Sequence, residues 1–354
     1  MLNIPESPEQ VTAEWMSLAL SRSDCLDGNE VTGLECSLIG TGKMGDNARF
    51  TLSYSGDRGS APATVVGKFP GDERARAMAG AQGAYYAEVM FYRELAGRTT
   101  MRTPVIYANE IADDRCTFVI LMEDMAPAEP GSQLVGESLD NTRRALGEAA
   151  KLAAAFYGDD AVGLCDYVMT QARDDGGEFG QALLQQSWPG FLQRFGHGIS
   201  EECRRFGDRY VDSHARFVTR FNGPKTIAHG DFRSENILFH RDVACTVDWQ
   251  TTMETSPLAD AAYFLGGSVA LEQRRAWERD LVRDYSEQLA SMGVDLGFDA
   301  CWEQYREQAM HGLMITILGA SFSEPDERGD AMFLAMIQRH LQHCVDLDAG
   351  EFLA

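Results

Sequence analysis

Apolar and polar side chains alternate from Ala48 to Tyr54, the period of a half-buried strand, and the stretch before it, Val31 to Ile39, also reads as extended. Between them lies Gly40-Thr41-Gly42-Lys43-Met44-Gly45, so the local order is strand, glycine loop, strand. Ala63 to Phe69 is a third β-rich run with a single lysine, Lys68, among apolar residues. Cys116 to Met122 is continuously apolar, as in a buried strand, and stops at Glu123-Asp124-Met125-Ala126-Pro127, which reads as a hinge. Helical spacing takes over elsewhere. Tyr85, Glu88, Val89 and Tyr92 recur at i, i+3, i+4 and i+7, predicting a helix from about Gly83 to Leu95 with Glu88 on the buried stripe and Glu94 off it. Past the hinge, Leu146, Ala149, Ala150, Ala153, Phe156 and Tyr157 form one stripe, and Met310, Leu313, Met314, Ile317 and Leu318 another. Ser7-Pro8-Glu9-Gln10 predicts a helix start with Ser7 as N-cap and Gln10 closing a capping box.

The chemistry concentrates in His229-Gly230-Asp231-Phe232-Arg233-Ser234-Glu235-Asn236 and in Asp248-Trp249-Gln250. Two short apolar runs, Ile237-Leu238-Phe239 and Cys245-Thr246-Val247, flank His240-Arg241-Asp242 and predict a β-hairpin. Folding it about residue 242 sets position 236 opposite position 248, so that Asn236 and Asp248 offer oxygens at one end of the ribbon, as a hard divalent cation requires. Asp231 enters that same end, where a carboxylate can accept the proton of an attacking hydroxyl. Upstream, a buried Lys68 needs an anionic partner, and the inward-facing Glu88 supplies one.

These residues resemble the catalytic loop D-x-x-x-x-N and the metal-binding D-F-G of the protein-kinase-like superfamily, with His-Gly-Asp for the usual His-Arg-Asp and Asp-Trp-Gln for Asp-Phe-Gly. His-Gly-Asp is the form of the aminoglycoside and choline phosphotransferases, and Asp-Trp-Gln resembles the ecdysteroid-kinase-like branch and its bacterial relatives. The resemblance implies an α+β, bilobal protein-kinase-like fold: a nucleotide-binding lobe over residues 1–125, with an antiparallel sheet plus helix, and a larger, mainly helical catalytic and substrate-binding lobe over 126–354. It also implies ATP and Mg²⁺ as cofactors. Gly40, Gly42, Lys43 and Gly45 would cover the phosphates, Lys68 held by Glu88 would bind them, and backbone groups near Glu123 and Met125 would meet the adenine edge. Asp231 would be the catalytic base with Arg233 near the transferring phosphate, Asn236 and Asp248 would hold the metal, and Asp260 would brace the loop at His229. A long activation loop is excluded by the early arrival of Ser256-Pro257-Leu258-Ala259-Asp260, which argues against a protein kinase.

Composition adds limits. At 354 residues the chain exceeds a single hydrophobic core, so two lobes are expected. A formal net charge of -23 argues against nucleic acid or an anionic membrane as partner. No run of eighteen apolar residues occurs and no secretory leader opens the chain, so a cytoplasmic protein is expected. Its eight cysteines are scattered without a C-x-x-C pair and are expected to be reduced. His340, His343 and Cys344 have donor atoms at helical spacing, but with no fourth zinc ligand they read as a surface helix. The aromatic-rich segment from Ser187 to Phe221, broken by Gly196 and Gly198, and the residues Trp188, Phe191, Trp302, Tyr305 and Met310 are candidates for lining an acceptor pocket. The expected activity is phosphorylation of a hydroxyl on a small molecule, favouring an apolar alcohol; an aminoglycoside-type kinase and a non-catalytic pseudokinase are the alternatives. Sequence leaves monomer and dimer equally open.

Overall fold

In a computed structural model, residues 3–26, 28–40, 44–170 and 177–354 are described, and they divide into two compact units. The first comprises residues 1–98, 103–127 and 247–251, and the second comprises 99–102, 128–246 and 252–354. Each unit thus includes a short segment remote in sequence from its main part, 247–251 in the first and 99–102 in the second.

In the first unit, β1 (Val31–Ile39), β2 (Gly45–Tyr54), β3 (Thr64–Pro70), β4 (Ile106–Ile111) and β5 (Phe118–Glu123) form an antiparallel sheet in the order β1-β2-β3-β5-β4. Lys68 lies on its central strand, opposite Asn47 of β2 and Ile120 of β5. Helix α1 (Ala13–Arg22) packs on β1 and β4 over a core that includes Met16, Leu20, Phe50, Val65, Phe69 and Leu121. Its N-cap is Thr12, whose side chain accepts the Trp15 N–H. The capped start expected at Ser7 is instead a one-turn 3-10 helix, Pro8–Gln10. There Ser7 makes no capping bond, and the Gln10 side chain accepts from Glu6 N–H rather than from residue 7.

Helix α2 (Glu73–Gln82), capped by Asp72, ends at Gly83 with φ 67. It was not predicted because its buried stripe holds only Ala75 and Ala79, too weak an apolar signal. Helix α3 (Ala84–Met90) then runs into a π-helical turn, Phe91–Leu95, and the pair covers the span expected from Gly83 to Leu95. Glu88 is 1% exposed and Glu94 is exposed, as the periodicity requires.

The second unit is mainly helical. Strand β6 (Glu129–Pro130) pairs with the hairpin of β8 (Ile237–His240) and β9 (Val243–Thr246), and β7 (Thr226–Ala228) pairs with β10 (Met253–Thr255). The helices are α4 (Leu139–Phe156), α5 (Asp160–Gly163), α6 (Glu178–Phe195), α7 (Glu201–Arg220), α8 (Ala259–Ser268), α9 (Leu271–Ser291), α10 (Gly297–Gln308), α11 (His311–Phe322) and α12 (Glu327–Asp346). All ten residues of α8 are buried, and α4, α9, α10, α11 and α12 pack around it. The break expected at Gly196 and Gly198 is a 3-10 turn between α6 and α7. Among the described residues no helix is long and apolar enough to cross a membrane. All eight cysteines are free thiols.

The hairpin forms with a register one residue tighter than expected. Its ladder pairs Ile237 with Thr246 and His240 with Val243. The connection is the two-residue turn Arg241-Asp242, in which Arg241 adopts φ 50, and two-residue turns with positive φ suit the twist of paired strands. The ladder therefore closes at Ile237, and Asn236 sits in the 3-10 turn Ser234–Asn236 that precedes it rather than in a strand pair with residue 248.

Candidate active site

In the first unit, a cluster of charged side chains grows from β3 and α3 around the buried Lys68. Lys68 Nζ donates to Glu88 Oε2 at 2.6 Å and to Asp248 Oδ1 at 2.7 Å. Burial alone would lower the Lys68 ammonium, but the two carboxylates reverse this and hold its pKa above the usual lysine value. The Glu88 carboxyl moves up from its ordinary value, because burial and the nearby Asp248 charge outweigh Lys68. Glu88 Oε2 also accepts from the Gln250 side-chain amide at 3.3 Å. Asp248 has φ 69, a left-handed backbone that costs a non-glycine residue roughly 1–2 kcal/mol. Next to it, the fully buried Trp249 lies flat on Phe91 of the π-turn, with ring centroids 3.5 Å apart and planes within 5°. Trp249 and Gln250 thus anchor Asp248 to the π-turn by a ring stack and to α3 by a side-chain hydrogen bond.

The glycine loop is only partly visible in this cluster. Gly42 and Lys43 lie outside the described residues. Gly40 closes β1 with φ 75, and Gly45 opens β2 so close to β3 that a Cβ there would stand 2.7 Å from the Phe69 carbonyl oxygen. At the hinge, Glu123 N–H donates to Val105 O at 2.8 Å, and its side chain accepts from Val105 N–H at 3.0 Å. Between Glu123 and Met125, Asp124 takes a two-pronged bond from Arg49 of β2, at 2.6 and 3.0 Å. That fork fixes the hinge strand to the sheet and keeps the Asp124 carboxyl below the usual range against the opposing effect of burial.

In the second unit, the segment from His229 to Asn236 is shaped by its own backbone contacts. Asp260, 5% exposed at the start of α8, accepts from the N–H groups of His229 at 2.7 Å and Gly230 at 3.1 Å. Burial raises the Asp260 carboxyl, opposed by His229 and by these two amides. His311 at the start of α11 bonds the Gly230 carbonyl oxygen at 2.9 Å. His229 is fully buried, in keeping with a packed imidazole that shapes the loop.

The loop then presents Asp231. Oδ1 of Asp231 accepts from the Tyr263 hydroxyl at 2.6 Å, and Oδ2 accepts from Asn236 Nδ2 at 3.0 Å and Arg233 Nε at 3.2 Å. Asn236 Nδ2 also donates to the Asp231 carbonyl at 2.8 Å, so the amide nitrogen is turned toward Asp231 and the amide oxygen away from it. Arg233 further pairs with Glu235 at 2.7 Å, and Glu235 in turn pairs with Arg328 of α12 at 2.9 Å. Burial would lower the Arg233 guanidinium, but Asp231 and Glu235 raise it, so the cation is permanently charged and neutralised in place.

The structure thus joins Lys68, Glu88 and Asp248 in one unit, and Asp231, Arg233 and Asn236 in the other. Sequence reasoning missed Gln250 and Tyr263. Tyr263 carried a usable signal, since it follows Asp260 by three residues on one helix and must share its loop-facing side. The surface-helix reading of His340, His343 and Cys344 is overturned: all three are fully buried, packed toward α8, α10 and α11. No cluster of three or more metal-binding side chains occurs among the described residues.

Of the five candidate pocket residues, Trp302 is half-buried on α10 beside Phe298 and Tyr305, and the other four fall into two groups. Trp188 and Phe191 stack on α6, and Phe191 lines a cavity of about 400 Å³ with Leu183, Ser187, Phe195 and Phe322. Tyr305 and Met310 are core residues, with the Tyr305 hydroxyl given to Glu278 at 2.9 Å. Helix α12 reaches both the cavity and the 229–236 loop, because Arg194 in the cavity wall pairs with Asp330 while Met332 Sδ lies 3.7 Å from Arg233.

A model of the ecdysteroid kinase-like family matches residues 44–298, well over half the chain. No curated protein matches the sequence. Among solved structures, choline kinase from Cryptosporidium parvum Iowa II aligns with a TM-score of 0.55 and 10% identity, covering 90% of this chain and 91% of that one. Plasmodium vivax ethanolamine kinase aligns with a TM-score of 0.50 and 11% identity over 98% and 90% of the two chains. The ADP-bound aminoglycoside phosphotransferase APH(2'')-Ib gives 0.50 and 15% over 87% and 94%. At these identities the likeness is one of fold.

Proposed function

The chain belongs to the ecdysteroid kinase-like family, and from that premise we propose that it is an ATP- and Mg²⁺-dependent phosphotransferase that phosphorylates a hydroxyl group of a small molecule. The observation that carries the proposal is the buried Lys68 ammonium between Glu88 and Asp248, a fixed cation of the kind that holds nucleotide phosphates. Asp248 and Asn236 would be the metal's oxygen donors, and both suit a hard cation: one is a carboxylate, the other an amide whose nitrogen is already engaged by Asp231. When bound, the metal would neutralise charge on the phosphates. Lys68 and the glycine loop, Gly40, Gly42, Lys43 and Gly45, would grip those phosphates, and backbone groups at Glu123 and Met125 would meet the base. Asp231 would orient the acceptor hydroxyl and take its proton. Arg233 would place a cation near the transferring phosphate.

The acceptor is best read as a neutral, largely apolar alcohol. Asp231 and Glu235 already carry Arg233 and Arg328, so these two carboxylates offer no surplus negative charge to a polycationic sugar. The cavity on α6 adds an apolar surface from Leu183, Phe191, Phe195 and Phe322, beside the polar Gln186, Ser187, Arg194 and Ser321. The test is to incubate the protein with ATP, Mg²⁺ and pooled sterols, hydroxylated metabolites and aminoglycosides, and to look for the mass of one added phosphate. Product from wild type and none from Asp231→Asn is expected. Phosphorylation of aminoglycosides alone would overturn the acceptor class, and transfer undiminished in Asp231→Asn would overturn the assigned base.

A further inference from the structure

Asp231 has about four lone-pair positions on its two carboxylate oxygens. Three are taken: Oδ2 accepts from Arg233 Nε and Asn236 Nδ2, and Oδ1 accepts from the Tyr263 hydroxyl. Among the described residues this leaves one position, on Oδ1. The Tyr263 bond is short at 2.6 Å, the length of a hydroxyl bond to a charged oxygen, and so it restrains how the carboxylate turns.

Tyr263 is itself immobilised. Its ring lies parallel to the His340 imidazole, with centroids 5.1 Å apart and planes within 8°, and His311 meets it edge-on at 5.6 Å. His340 in turn sits in a slot floored by glycines: a Cβ on Gly266, Gly267 or Gly312 would stand less than 3.0 Å from its ring nitrogens. Neither ring nitrogen of His340 has a hydrogen-bond partner among the described residues, so what this side chain supplies is shape and a stacking face. The His311 that meets the tyrosine edge also holds the Gly230 carbonyl, so one helix start fixes both the loop backbone and the tyrosine.

We propose that Tyr263 is a positioning residue that makes Oδ1 of Asp231 the oxygen receiving the acceptor's proton, with His340 as the wedge that holds Tyr263 in place. This rests on the phosphotransferase reading above. In the step itself, the acceptor O–H proton moves to Asp231 Oδ1 while the acceptor oxygen forms its bond to the γ-phosphorus. The bond from that phosphorus to the β–γ bridging oxygen breaks, ADP leaves with the electron pair, and the proton passes from Asp231 to solvent. Tyr263 acts in this step through its hydrogen bond to Asp231.

Tyr263→Phe keeps the ring, and with it the stack on His340, while removing only the hydroxyl. Its kcat is expected to fall roughly 10- to 100-fold, while the KM values for nucleotide and acceptor and the thermal midpoint stay near wild type. Nucleotide affinity measured by calorimetric titration, which needs no turnover, should also be unchanged. Wild-type kcat in Tyr263→Phe, in an enzyme that Asp231→Asn silences, would overturn the positioning role. So would a kcat loss accompanied by an equal loss of nucleotide binding and thermal stability, which marks a structural tyrosine. Failure of the underlying reading shows differently, as a wild-type protein that transfers phosphate to no acceptor.

Discussion

Glu88 holds the Lys68 ammonium at 2.6 Å from a position that is 1% exposed, so neither charge has water as an alternative partner. Removing one member of a buried pair leaves the other uncompensated, at a cost of about 3–5 kcal/mol. Glu88→Ala should fall at the low end of that range, because Asp248 still faces Lys68 at 2.7 Å. The same variant releases the Gln250 amide from its place against Glu88. Urea unfolding and calorimetric ADP titration check both effects: we expect about 3 kcal/mol less stability and weaker nucleotide binding. Full stability together with full affinity would show that the pair is not a working part of the site.

Asp260 gathers two backbone amides, His229 N–H and Gly230 N–H, on one buried carboxylate. Without it each amide is left unsatisfied, at about 1–3 kcal/mol apiece, so Asp260→Ala should lose about 2–6 kcal/mol in urea unfolding. Because the same residues lead into Asp231, hydrogen exchange at residues 229–231 should accelerate in the variant more than exchange in β3, which belongs to the other unit. Uniform acceleration through both units would make Asp260 a general core residue rather than the brace of this loop.

Four buried histidines make the fold sensitive to acid. Burial, with help from His311, pushes His214 down to about 4. Burial, then His311 and Arg339, pushes His340 down to about 3. His311 is lowered and His343 lies well below the ordinary histidine value, in both cases chiefly through burial. The unfolded chain therefore takes up protons below about pH 6.5 that the folded chain refuses, and stability present above that pH is lost as the pH falls toward each folded value. Each histidine inside its window contributes about 1.4 kcal/mol per pH unit. Glu88 and Asp260, whose carboxyls burial raises, act in the opposite sense as they take up protons. We expect the urea midpoint to drop between pH 7 and pH 5, and His340→Gln to flatten that drop by about one proton's worth. An unchanged slope in the variant would remove His340 from the acid response.

How much of this was legible in the sequence follows the range of the interaction. Glu88 was placed from helical period alone, because one inward carboxylate on an apolar stripe has few ways to be satisfied. The Asp260 brace followed from motif resemblance and was met by two amides. The hairpin was found but its register was not, since a two-residue turn at Arg241-Asp242 depends on a single left-handed residue that an arginine does not advertise. Burial of His340 and His343 was missed because the period of α12 places them on a stripe with Phe333, Met336, Ile337 and Leu341, and polarity was weighed above position. The exchange of residues 247–251 into the first unit is a long-range event with no local signature.

Gly312 on α11 faces the His340 ring so closely that a Cβ would come within 2.5 Å of both of its nitrogens. His340 cannot retreat, because its other face is stacked on Tyr263. Gly312→Ala should therefore overpack the slot, costing about 1–3 kcal/mol or more, and by tilting Tyr263 it should lower kcat while leaving nucleotide affinity intact. Gly190 on α6 is the control, with nothing within 4 Å of an added Cβ and no left-handed backbone. Gly190→Ala should stabilise the helix by about 0.5–1 kcal/mol. Urea unfolding of the two variants side by side separates packing at the slot from the general effect of adding a methyl group to a helix. If Gly312→Ala is as benign as Gly190→Ala and keeps full turnover, His340 has room to move and the wedge behind Tyr263 is not rigid.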